Sequence, residues 1–338
     1  MSTLSESPEV VVTGGAGFIG SHLVEHLLEQ GKNVTVIDNF ESGRYENLDV
    51  IRESERFRIF EADVTKKDEL KGLFQHGACI VHLAGLADIV PSIQQPHRYY
   101  DVNVTGTLNV LQEAVQNDCK KFVYAASSTC YGIPDSFPTS EEHPIRPQYP
   151  YALTKHMGEQ LVMHWSMVYG LNAISLRLFN VYGPRVRTNG TYGAVLGIFM
   201  SQKANGSPLT VVGDGEQSRD FTHVRDVASA FAMSIDTPET GHVLNVGSGT
   251  HRSVNDLANL IGGEKIYLPK RPGEPDVTFA DISRVADLLN WKPKISLETG
   301  VADLLNSVQD WKSAPLWDRE SIAEATSDWF KLLGSKHD

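Results

Sequence analysis

Tyr151 and Lys155 stand four residues apart, a spacing that on a helix sets one side chain above the other on a single face. A phenol with an ammonium beneath it is a device for moving a proton. A free phenol titrates near pH ~10, too high for a base at neutral pH. A neighbouring Lys⁺, or the positive ring of an oxidised nicotinamide, favours the phenolate and lowers that value. Such a pair accepts the proton of a sugar or alcohol hydroxyl while hydride leaves the same carbon. The spacing equally describes a solvated helix face, so the elements around it must decide.

The first of these elements lies near the start of the chain. Residues 9–13 form a short apolar run, expected as a buried strand. Gly14-Gly-Ala-Gly17-Phe18-Ile19-Gly20 follows at once, and residues 21–30 then read as an amphipathic helix closed by Gly31. A strand, a glycine-rich turn and a helix make up the setting of a dinucleotide fingerprint. Gly14 allows the turn, Gly17 lets backbone approach a pyrophosphate, and Gly20 lets the helix pack on the strand. The helix N-terminus would face the phosphates. A second strand, 33–38, ends in Asp38, 18 residues after Gly20 and near the ~20 expected for an acid on the ribose hydroxyls. A carboxylate there repels a 2′-phosphate, so NAD is expected over NADP; the competing role is a strand-end turn. Arg44 is nearby, but Asp38 holds the deciding place.

Further strands are expected at 56–60, 78–83 and 121–126, and a long helix at 99–117. Asp63 is placed to bond an adenine amino group or to cap the helix from Lys66. Ala84 and Gly85 end the fourth strand, where cofactors lie in open parallel sheets. Ser127, Ser128 and Thr129 end the fifth. A hydroxyl there can bond both a substrate hydroxyl and Tyr151, although ordinary turn chemistry explains the same cluster.

Composition narrows the classes. The 338 residues carry a net charge of −12 with 41% hydrophobic content. That suits one large or two medium domains and argues against a surface that tracks nucleic-acid phosphates. Cys79, Cys119 and Cys130 are three in number, without metal-ligand spacing, so neither a metal nor a disulfide framework is expected. The polar first eight residues do not read as a signal peptide, and no apolar run reaches ~18 residues. A cytoplasmic protein without a membrane partner is the expectation.

Together these pieces resemble the extended short-chain dehydrogenase/reductase family, specifically its nucleotide-sugar epimerases and dehydratases, of the UDP-glucose 4-epimerase kind. The matching residues are Thr13 to Gly20, Asp38-Asn39, Asp63-Val64, His82-Leu-Ala84, Asn103 to Asn109, Ser127, Tyr151-x-x-x-Lys155, Arg177 to Pro184 and Gly213 to Phe221, spread over roughly residues 9–305. The resemblance implies an α/β fold: a Rossmann doubly wound parallel sheet with a smaller C-terminal α/β substrate domain. It implies a tightly held NAD, catalytic Ser127, Tyr151 and Lys155 (Ser128 is the alternative hydroxyl), and hydride taken from the sugar C4. It also implies cofactor contacts from Gly14, Gly17, Phe18, Ile19 and Gly20, from Asp38, Asn39, Gly43, Asp63 and Val64, from Leu83, Ala84, Gly85, Asn103 and Ala125, and from Tyr151 and Lys155 themselves.

Within the family the strand end separates the chemistries. Dehydratases resemble Thr-Asp-Glu there, because water loss needs an acid and a base. This chain has Ser127-Ser128-Thr129. The 3,5-epimerases carry a Cys where Thr129 stands, and Cys130 is one step later, on the opposite face if the strand continues. The pattern resembles the 4-epimerases, in which a 4-keto sugar forms, turns about its phosphate link and takes the hydride back on its other face. The alternatives are a dehydratase, decarboxylase or reductase on the same scaffold, or a non-catalytic NAD-binding regulator, for which a proton relay would be needless.

For the nucleotide-sugar, the resemblance implies contacts from Ser127, Ser128, Thr129, Asn180, Val195 and Thr210, and from Arg219, Arg271, Glu274 and Thr278. Arg219 would fork onto the diphosphate or instead pair with Asp220 or Asp226. Thr278 is small where a bulky Tyr limits sugar size, so an N-acetylhexosamine is expected to fit. Two departures stand beside the site: Gly85, where Ala is usual, and Tyr149, where a small hydroxyl residue is usual. The expected division is 8–184 for the NAD-binding domain, with a returning segment near 220–250, 185–313 for the nucleotide-sugar domain, and 314–338 for a tail of unassigned role. A loop is expected at 185–190 and helices at 192–202, 254–260 and 301–311. Trp317 and Trp329 are docking points for the tail. Helices 99–117 and 151–169 resemble those that form a homodimer interface.

Overall fold

The computed structural model describes residues 8–186 and 195–334; the expected loop and the first three residues of the expected 192–202 helix lie mostly outside them. Seven parallel strands form one sheet: β1 (Val10–Thr13), β2 (Val34–Asp38), β3 (Phe57–Glu61), β4 (Cys79–His82), β5 (Lys121–Ser127), β6 (Ala173–Leu178) and β7 (His242–Val246). Their order is β7-β6-β5-β4-β1-β2-β3. The chain leaves β1 in one direction to build β2 and β3, then returns to build β4 to β7 on the other side. The reversal between β1 and β4 opens a crevice at the strands' carboxyl ends, where ligands bind in such sheets.

The apolar runs explain the burial. Val10, Val11 and Val12 are all inaccessible, as for a strand covered on both faces. Successive side chains alternate: Val10 and Val12 join the layer of α1 (Phe18–Glu29) and α5 (Val224–Asp236), whereas Val11 joins that of α3 (Gly106–Gln116) and α4 (Pro150–Tyr169). The short α2 (Ile89–Gln94) follows β4. A third apolar core, with Tyr182, Phe199, Leu209, Leu257, Val301 and Trp311, sits outside the sheet. The strands Leu209–Val212 and Lys265–Leu268 pair there in parallel.

Three expectations change. The long helix at 99–117 is interrupted: Pro96–Tyr100 and α3 are joined by a wide π turn, Asp101–Thr105, a feature that often marks functional positions. The helix expected at 301–311 is Leu297–Asn306 followed by the 3₁₀ turn Val308–Trp311. The tail folds into two further helices, Arg319–Ala325 and α6 (Ser327–Leu333). Ser253 caps the helix Val254–Ile261, within a reciprocal capping box with Asp256.

Candidate active site

At the carboxyl ends of the strands lies a cavity of about 460 Å³. One end is backbone. Gly14 has φ +72°, and a Cβ on it would meet the Ala84 nitrogen at 2.6 Å; a Cβ on Gly20 would collide with the Gly14 carbonyl oxygen. The turn therefore brings β1, α1 and the loop after β4 into mutual backbone contact that only glycine permits. The first turn of α1 carries no acidic side chain, so its N-terminal field is left for an anion.

Asp38 ends β2 beside this turn. Its Oδ2 accepts from the Ala16 N–H and its Oδ1 from the Phe40 N–H, both at 2.9 Å. Burial pushes its carboxyl upward, partly offset by those two bonds. Each oxygen keeps a lone pair for a diol. Asp63 lies further out, where its Oδ1 accepts from the backbone and hydroxyl of Thr65; it does not cap the short 3₁₀ helix Lys67–Leu70, whose N-cap is Lys66. The cradle, the clear helix end and the acid at β2 fit a dinucleotide with free ribose hydroxyls.

Most expected site residues meet on this one surface. Gly14, Gly17, Phe18, Ile19, Gly20, Asp38, Asn39, Gly43, Asp63 and Val64 line it, as do Leu83, Ala84, Gly85, Ala125, Ser127, Ser128, Thr129, Tyr151, Lys155 and Asn180. Asn103 does not. Its Oδ1 accepts from the Leu86 N–H at 2.9 Å, and its Nδ2 donates to the Leu86 carbonyl and to Thr154 Oγ1. It braces the cavity loop from behind. Asn103 lies within the π turn Asp101–Thr105, which sets this amide in place.

At the other end of the cavity stand Ser127, Tyr151 and Lys155. β5 ends at Ser127, whose Oγ lies 2.9 Å from Thr129 Oγ1. The chain then turns through the 3₁₀ segment Ser128–Tyr131, so strand alternation does not govern Cys130. That thiol is buried beside Tyr131, Phe179 and Ala280, away from the cavity, and burial pushes it up to about 12. The absence of a Cys acid is as expected, but the reason is the turn rather than a strand face.

Tyr151 and Lys155 lie in the first turns of α4, which begins with Pro150 in its first turn, a position proline suits. Burial raises the Tyr151 phenol, a hydrogen bond with Ser127 pulls it back, and the Asp88 carboxylate raises it further. Lys155 is buried, and desolvation lowers its amine to about 7. Its Nζ sits 4.5 Å above the Tyr124 ring. This corrects the simple picture of a permanent cation under the phenol: near neutral pH the amine is itself half-neutral. A Cβ on Gly85 would stand 3.0 Å from Asn103 Oδ1, a tight contact, and 3.5 Å from the Lys155 Nζ, an ordinary one.

Behind these groups is a polar brace that fixes α4 against β5 and β6. Arg177 Nη2 donates to Glu159 Oε1 at 2.6 Å and Arg177 Nε to Oε2 at 2.9 Å. Arg177 Nη1 donates to the Tyr131 hydroxyl, which donates to Asn245 Oδ1 at 2.7 Å. The fork geometry of arginine suits a buried carboxylate. It ties the helix bearing Tyr151 to the turn bearing Ser127. Below the amine, His82 Nδ1 and Nε2 are bonded to Thr13 and Thr107, and burial holds its ring neutral.

The substrate-side expectations divide. Asn180 lines the cavity and donates to Thr278 Oγ1 at 2.8 Å, so Thr278 stands directly behind it. Arg219 pairs neither with Asp220 nor with Asp226 but with Glu274 Oε1, at 2.7 Å. Asp220 accepts instead from Ser248 and Ala280, and Asp226 from Ile295. Arg271 lies 4.0 Å from the same Glu274, so the three form one cluster beside the cavity rather than in its wall. Thr210 is spent on Gln202, through both its amide and its hydroxyl, and Val195 packs on the outer apolar core. Neither reaches the cavity. His223 caps α5 through Arg225 N–H, a structural role. Sequence reasoning missed Asp88. It occupies the N-cap position of α2 yet makes no capping bond from its side chain, and it lines the cavity near Tyr151. Among the described residues no metal-binding group of side chains occurs, and no helix is long and apolar enough to cross a membrane.

Residues 10–247 match the NAD dependent epimerase/dehydratase family. The chain is 35% identical over 301 residues to the UDP-glucose 4-epimerase of Mycolicibacterium smegmatis, a match covering 86% of this chain and 96% of that one. Among solved structures, it superposes on the Thermus thermophilus UDP-glucose 4-epimerase in complex with NAD with a TM-score of 0.80 at 31% identity, over 89% of this chain and 99% of that one. The UDP-N-acetylglucosamine 4-epimerase of Methanobrevibacter ruminantium gives a TM-score of 0.81 at 34% identity, over 90% and 98%.

Proposed function

Because the chain belongs to the NAD dependent epimerase/dehydratase family, we propose that it is an isomerase that inverts C4 of a UDP-sugar, UDP-glucose/UDP-galactose or their N-acetylated forms, with NAD as cofactor. The observation that carries this reading is the meeting of Ser127, Tyr151 and Lys155 at the end of a cavity whose other end is the glycine cradle and Asp38. When bound, NAD would supply the two-electron acceptor for the hydride of C4. Tyr151 takes the proton of the C4 hydroxyl, with Ser127 bonded to the phenol and placed to orient that hydroxyl. Lys155 supports the phenolate in its protonated form. The 4-keto sugar would turn about its phosphate link and present its opposite face, where C4 regains the hydride and its oxygen regains the proton from Tyr151. Residues 185–313 supply the nucleotide-sugar side, through Asn180 at the boundary and the Arg219–Glu274–Arg271 cluster. A cytoplasmic setting fits the three free cysteines.

Asp88 favours a second reading to be tested alongside. Loss of water needs an acid near the base, and Asp88 is a carboxylate whose charge reaches Tyr151. Product analysis by proton NMR and mass spectrometry separates the two. C4 isomerisation of UDP-glucose and UDP-N-acetylglucosamine without mass change is expected; loss of 18 mass units (~18 Da, the mass of water lost in such an elimination) would favour dehydration. The small Thr278 supports turnover of the N-acetylated sugar, and its absence would sink that size argument. UDP-glucuronate is expected to be the poorer substrate, because its carboxylate would enter a cavity that the Asp88 carboxylate already lines.

The oligomer we propose is a homodimer through α4 and the segment before α3. Leu153, Met167, Val168 and Tyr169 on α4, with Tyr100, are large apolar side chains left exposed, more than a solvated face requires. Light scattering at micromolar concentration should give about twice the 37.3 kDa chain mass; a single-chain mass would remove the dimer.

A further inference from the structure

Trp329 is the most buried aromatic side chain of the tail, 5% exposed, and it touches two parts of the site at once. Its indole N–H donates to the Pro272 carbonyl at 2.7 Å. The guanidinium of Arg271 lies 5.6 Å over its ring. On its other side the Tyr149 ring is 6.2 Å away, and Tyr149 in turn lies parallel to Tyr151 at 6.5 Å, with 7° between the planes. The helix is also tied at its start, where Asp328 Oδ2 accepts from Gln94 Nε2 of α2 at 2.8 Å. At its end Gly334 stands against Pro272.

These contacts close a ring. Tyr149 lies within the field of Glu274 and Arg219, Glu274 pairs with Arg219 and approaches Arg271, and Arg271 returns to the indole. A guanidinium on a long stem has many rotamers, and fixing one of them costs side-chain entropy. An aromatic face that holds it beforehand removes that cost from ligand binding. The same indole is a wall against which Tyr149, the stacking partner of Tyr151, is set.

We propose that the C-terminal helix straps the site shut, and that Trp329 is a positioning residue which holds Arg271 for the diphosphate of the nucleotide-sugar and Tyr149 against Tyr151. This rests on the UDP-sugar reading above. It accounts for the tail as part of the substrate site and gives the unusual Tyr149 a partner.

The test uses the full chain with bound NAD, with Trp329→Ala, Trp329→Leu, Trp329→Phe and Arg271→Ala. The readouts are the Kd of UDP by calorimetry, the KM and kcat for the UDP-sugar that the wild type turns over, and the Kd of NAD. Trp329→Ala and Trp329→Leu should raise the Kd of UDP and the KM at least tenfold, with kcat changed less than threefold and NAD affinity unchanged. Trp329→Phe should restore most of the loss, because it keeps the aromatic face. Combining Trp329→Ala with Arg271→Ala should add little to Arg271→Ala alone. If Trp329→Ala does not fold, the comparison of Leu with Phe decides. Equal KM and equal UDP affinity for these two overturns the strap, as does a tryptophan effect of full size in the Arg271→Ala background. A wild type that binds UDP but turns over no nucleotide-sugar would overturn the epimerase reading while the strap is still judged on UDP affinity; a wild type that does not bind UDP overturns both.

Discussion

Tyr151→Phe is expected to lower turnover by about 10²–10⁴-fold, the usual contribution of a positioned acid–base group. The ring remains, so the packing of α4 and the parallel contact with Tyr149 are kept; only the proton acceptor is removed. Cofactor content should therefore match the wild type. The pH profile carries a second check. Burial and Asp88 raise the Tyr151 phenol, and a base must lose its proton to act, so wild-type turnover should rise with pH. Whatever activity the Phe variant retains should lack that limb. Turnover within threefold of wild type would remove Tyr151 from the mechanism.

Lys155→Met should make the cofactor-free protein harder to unfold while nearly abolishing turnover. Desolvation lowers the amine from an ordinary 10.5 to about 7 in the folded chain. Between those values the unfolded state binds more protons, so folding stability rises as pH rises from 7 towards 10.5. The penalty is fully present below pH 7. A shift of that size is worth on the order of 4 kcal/mol near neutrality, and Met fills much of the same volume without the charge. Thermal melts of the stripped protein at pH 6 and pH 9 should show the wild type gaining stability with pH and the variant gaining less. A variant less stable at both values would mean that the amine's contact with the Tyr124 ring outweighs its desolvation. The site thus holds a group that the fold would be better without.

How much of this was legible beforehand depended on whether the information was local. The glycine turn, Asp38 and the Tyr151/Lys155 pair lie within short stretches whose backbone demands are their own, and the structure brings them together in one cavity. The strand runs were readable because both sheet faces are covered and the runs are continuously apolar. What stayed hidden was long-range. Glu274 lies 55 residues from Arg219, and nothing near either announces the pairing. Asp88 is an ordinary loop acid until folding turns it toward Tyr151. The π turn leaves helical periodicity almost intact, so 99–117 reads as one helix. Val195 and Thr210 came from resemblance alone, and their side chains answer to local packing instead. Trp329 was noticed as a docking point, but a tryptophan carries no address.

The strand order also bears on how the chain is made. By residue 184 a ribosome has delivered nearly every group that cradles the dinucleotide, yet β7 and α5 are still to come. α5 covers the apolar face of α1, the helix that follows the glycine turn, and β7 closes the outer edge beside β6. A nascent chain at that stage holds a complete binding motif beneath an uncovered hydrophobic flank and an unpaired edge, the surfaces most prone to premature association. Translation that stalls between 184 and 224 is therefore expected to be the most hazardous interval in its biogenesis, and early capture of NAD by the half-built crevice would shorten it.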